Sequence, residues 1–263
     1  MPFATAPDGT KIYFESTGSG EPLVLVMGVA EDHRLWNEVR GDFASRYQTI
    51  VYDYRGTGQS DKPKTPPYST RGFTKDIVAI LDHLKLDRAH LYGISMGGRV
   101  GQWMAIDYPE RLGTVILGCT MPGGPREVKR SIELGDITSD AAWLDLFDTL
   151  VSPEWRKLNP QFAEDWLDRA KEPIPDYAEA MHYAAGREHN AWDKLSTISV
   201  PTLVIHGEKD LIAPVENAYL LHDRIPNSEL ALIPGGRHLY FLEFQEKSSN
   251  TVINFLERHP IKR

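Results

Sequence analysis

The sequence predicts an α/β fold, a mostly parallel sheet with helices on both faces, carrying one all-helical insertion. Three observations lead there. Short, continuously apolar runs such as LVLVM and TVILGC suit strands buried on both faces. Between them lie segments whose apolar residues recur at helical spacing. From residue 121 to 190 only the helical period appears, so that stretch reads as an insertion lying over one end of the sheet.

The elements follow in order. KIYFES at 11–16 has strand character and is bounded by DGT and TGSGEP. LVLVM at 23–27 ends at Gly28, and TIVYD at 49–53 runs into the turn-rich RGTGQSDKP. From Thr70 to Leu86, Phe73, Ile77, Ile80, Leu81 and Leu84 mark one face of a helix. AHLYGI at 89–94 is a further strand. GRVGQWMAIDY then reads as a helix, with Gly98 and Gly101 leaving room for close packing and Pro109 stopping it. TVILGC at 114–119 is the next strand. In the insertion, Trp143, Leu146, Phe147 and Leu150 mark one helix. Phe162, Trp166 and Ala170 mark a second, ending before Pro173, and Tyr177, Ala180, Met181 and Ala184 a third, ending at Gly186. The tryptophans either line a pocket or hold the insertion together. The sheet pattern resumes with PTLVIHG at 201–207, a helix at 214–224, the strand SELALIP at 228–234 and a last helix presenting Phe241, Phe244, Val252 and Phe255. The chain therefore divides into a core, 1–120 and 191–263, and an insertion, 121–190.

At 263 residues the chain is long enough for one domain with a sizeable core. Lys and Arg number 29 against 37 Asp and Glu, with no basic run, which argues against nucleic acid or an anionic membrane as partner. The single cysteine, Cys119, lies in an apolar strand and reads as a buried thiol compatible with a reducing compartment. MPFATAPDGTKIYF lacks a basic segment followed by an apolar one, and no apolar run approaches the roughly 20 residues that span a bilayer. A soluble, cytoplasmic protein is the expectation, with self-association left open.

Residues 93–97 read GISMG, after one apolar strand and before a helix. A serine on such a turn is the strand-turn-helix context of a nucleophile. A serine hydroxyl needs a base to take its proton, and the base needs a third group to orient it. Asp210 in HGEKD and His238 in PGGRH each follow a later strand, at the sheet end where ligands and catalytic groups gather. Their order, Ser, Asp, His, completes the pattern.

With these stretches, LVLVMG, YDYRGTGQSDKP, GISMGG, the helical insertion, PTLVIHGEKD and PGGRH, the whole chain resembles the α/β-hydrolase superfamily. It is more loosely similar to the capped members that include 3-oxoadipate enol-lactonases and carboxylesterases. The resemblance implies the α/β-hydrolase fold with a helical cap, Ser95 as nucleophile, His238 as general base and Asp210 as its orienting acid. It implies an oxyanion hole from the backbone amides of Met96 and Val29, although Met27 stands where many relatives have histidine. An ester or lactone is the implied substrate, with no cofactor. A carbon–carbon bond hydrolase, a cofactor-free perhydrolase and a hydrolase-like small-ligand binding protein remain open alternatives.

Other polar residues receive plainer readings. Asp53 is a competing carboxylate, but its neighbours YRGTG suggest a structural turn. His33, close to the presumed oxyanion loop, reads as a loop histidine with no role rather than a substrate contact, and Arg237 as solvent-facing rather than substrate-binding. His90, His182, His189, His206 and His222 show no HExxH spacing and no CxxC partners, so no metal site is expected. RGTGQS lacks the lysine of a phosphate-binding loop.

Overall fold

A computed structural model describes residues 2–133, 139–172 and 174–261. Pro173, which the sequence offered as a helix stop, lies outside the described residues. Eight strands form one sheet: β1 (Phe3–Thr5), β2 (Lys11–Thr17), β3 (Glu21–Val26), β4 (Tyr47–Tyr52), β5 (Ala89–Ile94), β6 (Leu112–Gly118), β7 (Thr202–Gly207) and β8 (Glu229–Ile233). Their spatial order is β1-β2-β4-β3-β5-β6-β7-β8. Only β2 runs against its neighbours, so the sheet is mostly parallel, as expected.

Burial explains the register of apolar residues. β5 and β7 are buried at every position, whereas β2 alternates buried and more open residues as a strand at the antiparallel flank does. Successive side chains of one strand enter opposite layers. Val24, Val26, Leu91, Val115 and Val204 pack beneath the helices Thr74–His83, Met96–Asp107 and Glu216–Arg224. Leu23, Leu25, Tyr92, Ile116, Leu203 and Ile205 meet Trp36, Phe43, Phe241 and Phe255 on the other face. Each such side chain removed from water contributes about 1.5–3 kcal/mol before the entropy cost of ordering it.

Gly98 and Gly101 behave as predicted. A Cβ on Gly98 would lie 2.6 Å from the Thr120 side chain, and one on Gly101 would lie 3.1–3.2 Å from Leu91, Leu117 and Val115. The helix they belong to is thereby pressed onto β5 and β6.

Between β6 and β7 come the helices Asp140–Leu150, Pro153–Leu158, Pro160–Ala170 and Asp176–Arg187. The second was not expected from the sequence. Ser152 starts it by accepting a hydrogen bond from Trp155 N at 3.1 Å, with proline at its first position. Aromatic pairs join these helices: the Phe147 and Trp166 rings lie 4.8 Å apart, and those of Trp155 and Phe162 5.3 Å. At least these tryptophans therefore hold the helices to one another. The final helix is split at Phe244 into Tyr240–Glu243 and Gln245–Arg258.

Candidate active site

Ser95 lies immediately beyond β5 with φ 53° and ψ −117°, a backbone conformation that a residue with a Cβ adopts only under constraint. The constraint is visible. Ser95 N donates to Gly118 O at 2.9 Å, and Thr120 Oγ1 donates to Ser95 O at 2.6 Å. The two flanking glycines have no alternative. A Cβ on Gly93 would fall 2.2 Å from Gly97 O, and a Cβ on Gly97 would fall 2.2 Å from Val26 O. The turn is thus packed backbone against backbone between β3 and β5, with the serine side chain left partly open.

Asp210 and His238 come from the loops after β7 and β8. Those loops are pressed together at Gly207, where a Cβ would meet Gly236 O and Arg237 O. Lys209 N donates to Gly236 O at 2.8 Å and closes the same junction. His238 Nδ1 then lies 2.8 Å from Asp210 Oδ2, both side chains being buried. The second carboxylate oxygen, Oδ1, accepts from Ile212 N at 2.8 Å and Ala213 N at 2.9 Å. Burial would push the Asp210 carboxyl up. The charge and hydrogen bond of His238, together with the imidazole of His206 3.3 Å away, outweigh that and hold it well below the usual carboxylate range. Asp210 is therefore a fixed negative charge. No hydrogen bond joins Ser95 Oγ to His238 among the described residues; such bonds commonly tighten only when substrate is bound.

The loop after β3 passes beside the serine. A Cβ on Gly28 would stand 3.5 Å from Ser95 Cβ, which places Val29 next to the turn. Neither Val29 N nor Met96 N, the first amide of the helix Met96–Asp107, has an acceptor among the described residues. Farther along, Glu31, partly exposed, lies near Trp166 and Arg169 of the helix Pro160–Ala170. Exclusion of water pushes its carboxyl up to about 7 and Asp32 adds to this, against Arg169, Arg34 and Trp166.

His33 and Asp53 form a separate, structural pair. Asp53 Oδ1 lies 2.6 Å from His33 Nδ1 and accepts from His33 N at 3.0 Å, while Oδ2 accepts from Gln59 N at 2.8 Å. One buried carboxylate thus clamps the loops after β3 and β4, which accounts for the turn that the sequence suggested. His33 is buried and engaged on both ring nitrogens, its Nε2 being 3.2 Å from Glu15. Asp32, His33 and Asp53 bring ligand atoms within 4.8 Å of one another, but the His33 and Asp53 atoms already bond each other and Asp32 already binds Arg34.

A family model described as alpha/beta hydrolase fold matches residues 21–245. The chain belongs to the alpha/beta hydrolase family. Among its relatives is a 3-oxoadipate enol-lactonase of Acinetobacter baylyi, 30% identical over 242 residues that cover 90% of this chain and 88% of that one. Another is a putative carbamate hydrolase from a Caulobacter species, 28% identical with 90% of both chains covered. A solved N-acyl homoserine lactone degrading enzyme superposes with a TM-score of 0.84 at 32% identity, over 97% of this chain and 100% of that one.

In this alpha/beta hydrolase two residues differ from their sequence reading or escaped it. Arg237 does not face solvent freely. Its Nη1 donates to the carbonyls of Asp148 and, at 3.3 Å, Val151, at the C-terminal end of the helix Asp140–Leu150, where carbonyls lack partners and a cation is favoured. Leu239 N donates to Leu150 O at 2.9 Å beside it. Nothing in the sequence pairs these distant loops. Glu31 drew no attention because an acidic loop residue has no local signature; its surroundings come from Trp166 and Arg169, more than 130 positions later. Among the described residues no helix is long and apolar enough to cross a membrane.

Proposed function

We propose that this chain is a serine hydrolase that cleaves a carboxylic ester or lactone through an acyl-enzyme on Ser95. One observation carries the reading: a serine held at positive φ between two sterically required glycines after β5, with a buried His–Asp pair on the loops that leave the parallel strands β7 and β8 at the same end of the sheet. The relatives named for lactone chemistry support the choice of substrate class.

The roles follow from which atoms are already occupied. With its Nδ1–H donating a hydrogen bond to Asp210 Oδ2, His238 keeps a lone pair on Nε2. That nitrogen takes the Ser95 proton as Oγ attacks the acyl carbon, and the fixed charge of Asp210 stabilises the imidazolium that forms. The Met96 and Val29 amides stabilise the oxyanion, a donor of this kind being worth about 3–4 kcal/mol of barrier. The carbon–oxygen bond to the alkoxide breaks, and His238 hands that oxygen its proton. Water repeats the sequence at the acyl-enzyme and frees the acid. In this reading residues 1–120 and 191–263 form the catalytic core and 121–190 a cap that roofs the site and selects the acyl and alcohol groups.

The test is hydrolysis of p-nitrophenyl esters of increasing acyl length and of small lactones by the wild type and by Ser95→Ala. Turnover that vanishes in the variant is expected. Turnover that survives there, or a folded wild type that cleaves none of the panel, overturns the proposal.

A further inference from the structure

His206 lies on β7, buried completely, four residues before Asp210. Its Nε2 is 2.7 Å from the carbonyl oxygen of Ala213 and 3.3 Å from Asp210 Oδ2. Both neighbours are acceptors, so this nitrogen must carry the proton. Nδ1 is buried without a partner, which fits the tautomer that leaves it bare. The N–H is therefore bonded to the end of the 207–213 loop, and it stands 3.3 Å from the carboxylate oxygen that faces His238, close enough to attract its charge.

The consequence is geometric. Asp210 would otherwise be held only on Oδ1, by two amides of its own loop, and on Oδ2 by the histidine it has to orient. Rotation about its terminal torsion is soft for a carboxylate. A polarised N–H 3.3 Å from Oδ2, carried by the rigid strand, attracts that oxygen and resists the rotation, and the bond to Ala213 O ties the far end of the loop to the same strand.

Building on the serine-hydrolase reading, we propose that His206 is a positioning residue: its Nε2–H fixes Asp210 in the rotamer that presents Oδ2 to His238 Nδ1. It does not touch the substrate.

Three variants separate this from simple core packing. His206→Gln can set an amide nitrogen where Nε2 stood, His206→Asn ends where Nδ1 stood, and His206→Leu donates nothing. With the ester that the wild type cleaves best, Asn and Leu should lose about 10-fold or more in kcat, with KM changed by less than about 2-fold, and Gln should recover most of the loss. The far-downfield proton resonance of the His238–Asp210 hydrogen bond, observed without substrate, should hold its position in Gln and move or vanish in Asn and Leu. Folding is followed by circular dichroism. Should Leu and Asn fail to fold, nitrogen-15 spectra of the wild-type histidines decide alone: a protonated Nε2 and bare Nδ1 on His206 support the proposal, and the reverse tautomer overturns it. Folded Asn and Leu variants with wild-type kcat and an unmoved resonance overturn it as well. Esterase activity that persists in Ser95→Ala would sink the serine mechanism instead, while the resonance and tautomer would still judge His206.

Discussion

Replacing Ser95 by glycine should make the protein more stable while abolishing its chemistry. At φ 53° and ψ −117° the Cβ of Ser95 costs about 1–3 kcal/mol, and the surrounding glycines and the bonds to Gly118 and Thr120 enforce that cost. Glycine at the same place relieves it but adds about 0.5–1 kcal/mol of chain entropy to the unfolded state. The net expectation is a gain of about 1 kcal/mol, or roughly 2–4 °C in the unfolding midpoint for a chain of this size. Ser95→Ala is the control, because it removes the hydroxyl and keeps the strained Cβ. Equilibrium urea denaturation of the three proteins, with m-values required to agree, isolates the term. If Ser95→Gly proves less stable than Ser95→Ala, the strain is not stored where the backbone angles place it and the argument fails.

Two further outcomes concern pH. Burial raises the Glu31 carboxyl from its usual 4.5 to about 7, so the stability it allows is complete below pH 4.5 and is lost as the pH rises through 7. Glu31→Gln should match the wild type at pH 4.5 and exceed it by about 2 kcal/mol at pH 8 in urea titrations, a figure reduced for partial exposure; equal stability at pH 8 would contradict this. His182 is the opposite case: burial lowers it from 6.5 to about 4, so its contribution is present above pH 6.5 and disappears as the pH falls through 4. Its Nε2 holds Arg55 O at 2.9 Å and its ring stacks on Phe73. His182→Gln, which can keep a donor there without titrating, should flatten the acid limb of the stability curve by up to about 3 kcal/mol between pH 7 and 4.

The sheet was legible because parallel strands buried on both faces leave unbroken apolar runs, and because Gly28 ends one of them and Pro109 ends a helix between two others. The three candidate catalytic residues were legible for a related reason: each stands just past such a run, so its end of the sheet could be inferred without knowing strand order. β1 was not, since three residues paired only through Phe3, Ala4 and Thr5 with β2 carry no period of their own. The helix Pro153–Leu158 was missed between two stronger patterns, although Ser152–Pro153 is an ordinary start signal. What stayed hidden were pairings between distant segments, such as Arg237 with the end of a helix some ninety residues earlier, His33 with Asp53, and His206 with Ala213.

The junction at Leu150 has a consequence for how such a protein can change its substrate. Arg237 and Leu239, on either side of the candidate base, both grip the last turn of the helix Asp140–Leu150. That helix cannot tilt to admit a bulkier molecule without pulling on the segment that aims the imidazole. In the proposed reading of residues 121–190 as a cap, changes to that helix will therefore register in turnover as well as in affinity. The helix Pro160–Ala170, packed on it through Phe147 and Trp166, transmits to the same segment, whereas Asp176–Arg187 makes no hydrogen bond to that segment among the described contacts.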